Sequence, residues 1–114
     1  MTKINAKTVL QSVRAMIANE DHWCQQHYAE NACGCEDDPV SGNPVAFCPL
    51  GAARRVIGVP WGTESEVFAE VSDALYVASH AADGSCEGIA EFNDYHSHAE
   101  VLRVIDEAIQ NLAT

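Results

Sequence analysis

Basic residues are scarce in this sequence, and their scarcity is its first constraint on function. Six lysines and arginines stand against 17 aspartates and glutamates, which gives a formal net charge of −11 at pH 7. Apart from the pair Arg54-Arg55 the basic residues are dispersed, so no basic stripe is present to follow a phosphate backbone. The composition therefore argues against direct binding of nucleic acid. The acidity favours solubility, and it would also suit a basic protein partner.

Long apolar runs are missing as well. No stretch approaches the roughly 20 residues needed to span a bilayer, so we expect no membrane partner. The first 20 residues place apolar positions at helical spacing and do not resemble a secretory signal. The five cysteines are an odd number, which argues against a fully paired disulfide framework. We therefore expect a cytoplasmic protein with reduced thiols.

Helical spacing of apolar residues marks four segments of a chain whose 114 residues are the length of one domain, residues 1–114. Asn5 is placed to cap the first helix, and Cys48-Pro49 and Gly58 bound the second. Capping-box sequences at residues 63–66 and 97–100 begin the third and fourth. The apolar stripes of the first, third and fourth helices are Val9, Leu10, Val13, Met16 and Ile17; Val67, Val71, Leu75 and Ala78; and Val101, Leu102, Ile105, Ala108, Ile109 and Leu112. We predict an all-α fold, a small bundle of about four helices.

Two connections in this bundle are long and irregular. Residues 21–43 hold a tryptophan, three cysteines, two histidines and an acidic cluster, and residues 84–97 hold Phe92-Asn93-Asp94. Long connections in compact domains often carry binding or catalytic residues. We therefore look for the functional site where these two segments meet the bundle.

Four short motifs follow one another along nearly the whole chain. They are Asp21-His22-Trp23-Cys24-Gln25, Cys48-Pro49-Leu50-Gly51-Ala52, Phe92-Asn93-Asp94 and an amphipathic C-terminal helix from Glu100 to Ile109. In this order they resemble an uncharacterised domain-of-unknown-function family of small bacterial and phage proteins. Pro49 stands where that pattern usually has a small residue, and Gln26-His27 stands where a glycine is common. The resemblance implies a mostly helical fold, and it supplies no activity. Because the family includes phage proteins, the resemblance also suggests an accessory role such as inhibiting or sequestering a host-defence component.

Cys48 is a candidate catalytic nucleophile. At the N-terminus of a helix a thiol lies among unpaired backbone N–H groups and the positive end of the dipole, which can lower its pKa. A histidine among His80, His96 and His98 would act as base, and Asn93 or Asp94 would orient that base. The other interpretation of Cys48 is a small buried hydrophobic residue packed under Trp23 or Phe47.

A second cluster has the residue types of a zinc site. Cys24, His27, Cys33 and Cys35 lie close in sequence, and Cys24-x-x-His27 has workable ligand spacing. His96-x-His98 adds two further candidate ligands. Equally, these thiols and imidazoles can be exposed or locally packed, and the acidic run at residues 36–38 can be a solvated loop.

A third hypothesis is a ligand site that combines aromatic rings, a carboxylate and a cation. Its candidate residues are Trp23, Tyr28, Arg54, Arg55, Asn93 and Asp94. Such a mixture suits a small polar ligand, nucleotide-like ligands included. The alternative is structural, with Asn93 and Asp94 capping a helical turn and Arg55 complementing a helix dipole.

The function predicted from these observations is binding. We expect a small acidic cytosolic protein that sequesters a small polar ligand or inhibits a basic protein partner, with no cofactor required. The alternatives are a cysteine-dependent hydrolase or transferase that uses Cys48, and a small interaction module stabilised by zinc. The sequence assigns no oligomeric state.

Overall fold

Five α-helices and one small sheet make up the chain in the computed structural model, which describes residues 5–59 and 65–112. The elements in order are α1 (Ala6–Met16), a 3-10 turn (Glu20–His22), β1 (Ala29–Glu30), β2 (Ala46–Phe47), α2 (Pro49–Ile57), α3 (Glu66–Ala82), α4 (Ile89–Tyr95) and α5 (His98–Asn111).

The predicted signals at three of the helices are confirmed. Asn5 and Ser97 each cap a helix through a capping box, for α1 and α5 respectively. Cys48 is the N-cap of α2, and Gly58 ends that helix in the left-handed conformation at φ 84°. At α3 the N-cap is Ser65, so this helix begins two residues later than the capping box at residues 63–66 predicts. Thr63 and Glu64 lie outside the described residues.

The prediction of a strictly all-α bundle of about four helices is wrong in two respects. Residues 89–95 of the second connection form a fifth helix. Residues 29–30 of the first connection pair with residues 46–47, just after that connection, in a two-stranded sheet. This helix has only seven residues, too few for a clear helical periodicity in the sequence. Its N-cap is Gly88, which has no side chain to cap the helix, so the sequence carries no N-cap signal either. The strands have two residues each, which is too short for an alternating pattern to appear.

The core lies between the five helices. α1 contacts α2, α3 and α5, and α3 also contacts α4 and α5. The buried side chains that fill this space include Val9, Leu10, Val13, Ile17, Ala52, Ala53, Val71, Leu75, Ala78, Ile89, Phe92, Val101, Val104, Ile105 and Ala108. Within the described ranges, no helix has both the length and the apolar character that crossing a membrane requires.

The first long connection folds into a small ribbon over the start of α2. β1 and β2 are antiparallel, with Ala29 opposite Phe47 and Glu30 opposite Ala46. On one side of them the Cys24 N–H donates to the Phe47 carbonyl at 3.1 Å. On the other side the Asp37 N–H donates to the Ala29 carbonyl at 3.0 Å. Because β2 ends at Phe47, directly before α2, these hydrogen bonds place the first connection beside the N-terminus of α2.

Gly51 permits the closest of these approaches. The Tyr28 carbonyl accepts a hydrogen bond from the Cys48 N–H at 3.2 Å and passes beside the first turn of α2. A Cβ added at Gly51 would lie 1.7 Å from the Tyr28 carbonyl oxygen and 2.6 Å from its carbon. Both contacts are with backbone atoms, so a side-chain rotation cannot relieve them. A residue without a side chain is therefore required here.

We predict that Gly51→Ala destabilises the fold severely. The added methyl group must push the ribbon away from α2, which we expect to cost at least ~3 kcal/mol of unfolding free energy. Urea unfolding followed by circular dichroism measures this. Gly42→Ala is the matched control, because a Cβ at Gly42 meets nothing within 4 Å. Equal stability of the two variants would contradict the prediction.

Candidate functional site

Cys48 is buried at the N-terminus of α2. Its side chain is 5% exposed, and its Sγ accepts a hydrogen bond from the Gly51 N–H at 3.4 Å. Burial raises the pKa of the thiol to about 11, although the backbone N–H groups of Gly51 and Leu50 act in the opposite direction. The helix terminus is thus present as predicted, but desolvation outweighs it. At neutral pH the thiol is protonated.

A small cavity lies beside Cys48, which we call the inner cavity. Its volume is about 150 Å³. It is lined by Gln26, His27, Tyr28, Glu36, Cys48, Ala90, Asn93 and Asp94. Five residues predicted for a catalytic, ligand or metal site therefore meet there: His27, Tyr28, Cys48, Asn93 and Asp94.

A wider depression, which we call the acidic groove, adjoins the inner cavity. It has a volume of about 490 Å³ and is lined by Tyr28, Glu36, Asp37, Asp38 and Pro39. Tyr28 and Glu36 line both spaces. The inner cavity and the acidic groove therefore form neighbouring parts of one candidate site.

Trp23 and Asn93 are hydrogen-bonded to each other, and of the two it is Asn93 that lines the inner cavity. The indole Nε1–H of Trp23 donates to Asn93 Oδ1 at 2.6 Å, and Asn93 Nδ2 donates to the Cys24 carbonyl at 3.0 Å. Asn93 is 1% exposed, so both ends of its amide are used inside the protein. Trp23, predicted as a ligand platform, is not among the lining residues and instead packs against the core.

Gln25 and Gln26 fasten the tryptophan segment to α4. Gln25 Nε2 donates to the carbonyls of Asn93, Asp94 and His96 at 2.9–3.2 Å. The Gln26 N–H donates to Asp94 Oδ1 at 2.7 Å. Gln26 has φ 75°, in the left-handed region that glycine adopts most easily, and it stands where the resembling pattern commonly has glycine. Asp94 thus holds an unusual backbone and lines the inner cavity with the same side chain.

The two arginines predicted for the site lie outside both spaces. The Arg54 guanidinium carbon is 4.0 Å from the centroid of the Phe68 ring, and the residue is 7% exposed. Arg55 Nη1 donates to the carbonyls of Ser41 and Pro39, which fixes the end of the first connection. The pKa of Tyr28 is raised, mainly by burial and then by Cys48, while the charge of Arg54 lowers it in part. Because Arg54 and Arg55 lie outside the two spaces, carboxylates outnumber cationic side chains among the described lining residues.

The four predicted zinc ligands are not gathered around one point. Cys24 is buried and donates its thiol to the His27 carbonyl at 3.5 Å, and burial raises its pKa to about 12. The His27 ring is near the carboxylates of Glu30 and Glu36, at 3.8 and 3.9 Å. Cys33 and Cys35 are exposed on either side of Gly34. In the described part of the chain, the group of metal-ligand side chains that does converge is Asp83, Cys86 and His96.

The three histidines predicted as bases are engaged elsewhere. His80 Nδ1 is 3.2 Å from the Cys86 carbonyl, and His98 Nε2 is 2.7 Å from the Ile17 carbonyl. His96 Nε2 is 2.8 Å from Asp83 Oδ2. The histidine that shares a cavity with Cys48 is His27, which the sequence analysis assigned to metal binding. His27 closely follows Trp23 in the sequence, and this closeness to the tryptophan segment is the signal that could have placed it near Cys48.

We predict that Asn93→Ala lowers stability by about 2–4 kcal/mol. The change leaves the buried donor of Trp23 and the carbonyl of Cys24 without their partner, and each unsatisfied group costs roughly 1–3 kcal/mol. Urea unfolding monitored by tryptophan fluorescence is the measurement. Asn111→Ala, at the exposed C-terminal end of α5, is the control and should change little. Similar losses in both variants would argue against the role of this bond.

Comparison with known proteins gives a family and no activity. A family model described as a family of unknown function, DUF6197, matches residues 1–111. Searches of curated proteins and of solved structures found no match. The matched range covers nearly the whole chain and includes every element described above. This chain therefore belongs to the DUF6197 family, and the uncharacterised family indicated by its four motifs is confirmed.

Proposed function

We propose that this chain is a small acidic binding protein that holds a polar ligand with a cationic group in the inner cavity and the acidic groove. The supporting observation is the adjacency of the two spaces through Tyr28 and Glu36. The inner cavity, at about 150 Å³, is smaller than the roughly 300–1,000 Å³ of typical small-molecule pockets. It would therefore take only a head group, with the rest of the ligand in the groove.

The charges of the lining favour a cationic head group. Glu36, Asp37, Asp38 and Asp94 supply four carboxylates to the two spaces. The hydrogen bond from Ser41 is the main cause that lowers the pKa of Asp37, so this group is ionised at neutral pH. Since no arginine or lysine is found among the described residues that line the two spaces, a phosphate-bearing ligand would meet like charge. The charges of the two spaces therefore favour amines and guanidines over the nucleotide-like ligands that the sequence also suggests.

A basic protein partner can present the same chemistry. A lysine or arginine side chain has a long apolar stem and a cationic end, which suits a groove that leads to a narrow cavity. The formal net charge of −11 would attract such a partner and speed its association. Sequestration of a host-defence component, expected from the phage members of the resembling family, would be one use of this binding.

We predict that spermidine binds at this site and AMP does not. In amide NMR spectra, spermidine should shift the signals of Tyr28, Glu36 and Asp94. Glu36→Gln and Asp94→Asn should each raise the dissociation constant about fivefold, equivalent to ~1 kcal/mol for a partly exposed charge contact. Both substitutions keep the side-chain shape.

The control for this titration is Asp73→Asn. Asp73 is an exposed carboxylate on α3 and lines neither space, so its neutralisation tests the effect of net charge alone. An equal loss of affinity in all three variants would mean diffuse attraction and not a site. Shifts caused by AMP at the same amides would overturn the preference for cations.

A cysteine-dependent hydrolase or transferase is the second candidate. Cys48, His27, Asn93 and Asp94 line one cavity, so the residue types of a nucleophile, a base and an orienting group are close together. The protonated state of Cys48 speaks against it, because the thiolate is the nucleophile. A reactivity measurement separates the two proposals.

We predict that Cys48 reacts with iodoacetamide at least about 100-fold more slowly than Cys33 and Cys35 at pH 8, because its pKa is raised to about 11 and its sulfur is buried. The Cys48 rate should rise about tenfold per pH unit between pH 7 and 9, since the thiolate fraction does so below the pKa. Mass spectrometry of the native protein after timed labelling gives the separate rates. Faster labelling of Cys48 than of the exposed thiols would favour the enzyme.

A further inference from the structure

Three side chains with metal-binding atoms converge where the loop after α3 meets the end of α4. Asp83 Oδ2 is 2.8 Å from His96 Nε2 and 3.5 Å from Cys86 Sγ. The three ligand atoms lie within 4.8 Å of one another. Asp83 and Cys86 come from the loop that ends α3, and His96 follows α4. None of them lines the inner cavity or the acidic groove.

The neighbours of this cluster hold its ligand atoms in place. Asp83 Oδ1 accepts hydrogen bonds from the N–H and hydroxyl of Ser85, at 3.0 and 2.6 Å, so Oδ2 is the oxygen directed at the cluster. The ring of His96 stacks on Phe92, with 3.8 Å between centroids and 5° between planes. Two of the three side chains are thus oriented by contacts outside the cluster.

Glu100 provides an observation that points to a metal in particular. Its Oε2 lies 3.3 Å from His96 Nδ1, the ring nitrogen that faces away from Asp83. Histidines that bind metals usually donate the proton of their second nitrogen to a carboxylate, which leaves the first nitrogen unprotonated and fixes the ring. The arrangement Glu100–His96–cluster has that form.

We propose that Asp83, Cys86 and His96 bind a zinc-class divalent transition metal through Oδ2, Sγ and Nε2, with Glu100 as the residue that positions His96. One oxygen, one sulfur and one nitrogen ligand suit zinc and cobalt, which accept this borderline mixture. Three protein ligands leave a fourth tetrahedral position for water or a small ligand. The proposal concerns different residues from the ligand site and does not depend on it.

The distances fit a tetrahedral ion after small movements. With bonds of about 2.0–2.1 Å to nitrogen and oxygen and about 2.3 Å to sulfur, tetrahedral geometry places nitrogen and oxygen about 3.3 Å apart and sulfur and oxygen about 3.6 Å apart. The observed separations are 2.8 and 3.5 Å. Asp83 Oδ2 and His96 Nε2 would have to separate by about half an ångström, and Cys86 Sγ and His96 Nε2, which lie within 4.8 Å of each other, would have to reach about 3.6 Å.

Metal binding at this cluster releases protons. Cys86 now donates its thiol hydrogen to Asp83, and binding transfers that proton to water while the thiolate sulfur bonds to the ion. His96 gives up any proton on Nε2 to water and keeps the one on Nδ1, which faces Glu100. No electron is transferred, and the metal keeps its +2 state.

Two of the three proposed ligands can be reached from solvent. The side chains of His96 and Asp83 are 20% and 30% exposed, while Cys86 is buried. A cavity of about 310 Å³ adjoins His96 on the side of Glu100, and Asp83 and Cys86 do not line it. A hydrated ion can therefore approach the cluster from the surface at Asp83 and His96.

Titration with Co²⁺ under reducing conditions tests the proposal. We expect one equivalent to bind and to produce a near-ultraviolet thiolate-to-cobalt charge-transfer band. Cys86→Ser should abolish the band, and His96→Gln should weaken binding at least tenfold. The double variant Cys33→Ser/Cys35→Ser controls for the exposed thiols and should bind as the unmodified chain does. Zn²⁺ should compete with Co²⁺ for the site.

The role of Glu100 is tested with a matched pair of variants. Glu100 and Ser97 form the capping box of α5; Glu100→Gln keeps a residue that can complete the box, while Ser97→Ala removes its other side chain. Only Glu100→Gln alters the contact with His96, and we expect it alone to reduce Co²⁺ affinity, by about 10–100-fold. Equal affinities of these two variants would overturn the positioning role.

Three results would overturn the metal site itself. They are a charge-transfer band that persists in Cys86→Ser, a band that disappears in the double variant of Cys33 and Cys35, and no binding at millimolar Co²⁺ by a chain with native circular dichroism. Native circular dichroism of Cys86→Ser, whose side chain is nearly isosteric, ensures that loss of the band is not loss of the fold.

Discussion

The close approach of the Tyr28 carbonyl to the first turn of α2 is the constraint on which the rest of the site depends. Gly51 makes this approach sterically possible, and the Cys48 N–H provides the hydrogen bond. The approach places β1 beside β2 and thereby brings Tyr28, His27 and Glu36 to the side of Cys48. Other bonds attach the first connection to the helices, through Gln25 and Gln26 to α4 and through Arg55 to α2, but without this approach Tyr28 would not line the inner cavity and the acidic groove.

The second constraint on the site is a network of hydrogen bonds that attaches α4 to the tryptophan segment. Trp23, Gln25 and Gln26 all bond to residues at the end of this short helix, through side chains of Asn93 and Asp94 and through main-chain carbonyls. Seven residues form a helix too short to be stable alone, so these bonds and the burial of Phe92 hold it in place. In this network Asn93 holds the Trp23 indole and Asp94 holds the Gln26 backbone, and both residues line the inner cavity.

The sequence predicted what depends on neighbours along the chain and missed what depends on distant ones. The caps at Asn5, Cys48 and Ser97 are local signals and were predicted correctly. α4 and the two-residue strands form through tertiary contacts, so no periodicity revealed them. Within the candidate site, Cys48, Asn93 and Asp94 line one cavity, whereas the guanidinium groups of Arg54 and Arg55 lie against Phe68 and loop carbonyls. Spacing in sequence gives a residue's type and approximate place, but it does not determine which of several nearby partners its side chain takes.

The two thiols at the centre of the proposals show how surroundings determine chemistry. Burial raises the pKa of both Cys48 and Cys86, so neither is a free thiolate. The Cys48 sulfur accepts its hydrogen bond from a backbone N–H, a group that stabilises a thiolate but cannot bind a metal. The Cys86 thiol instead donates to the Asp83 carboxylate, and the His96 imidazole lies within 4.8 Å of the Cys86 sulfur. A divalent cation would replace the thiol proton and turn mutual repulsion of thiolate and carboxylate into shared attraction. Burial therefore keeps the Cys48 thiol protonated and a poor nucleophile, whereas the surroundings of Cys86 would let a divalent cation stabilise its thiolate.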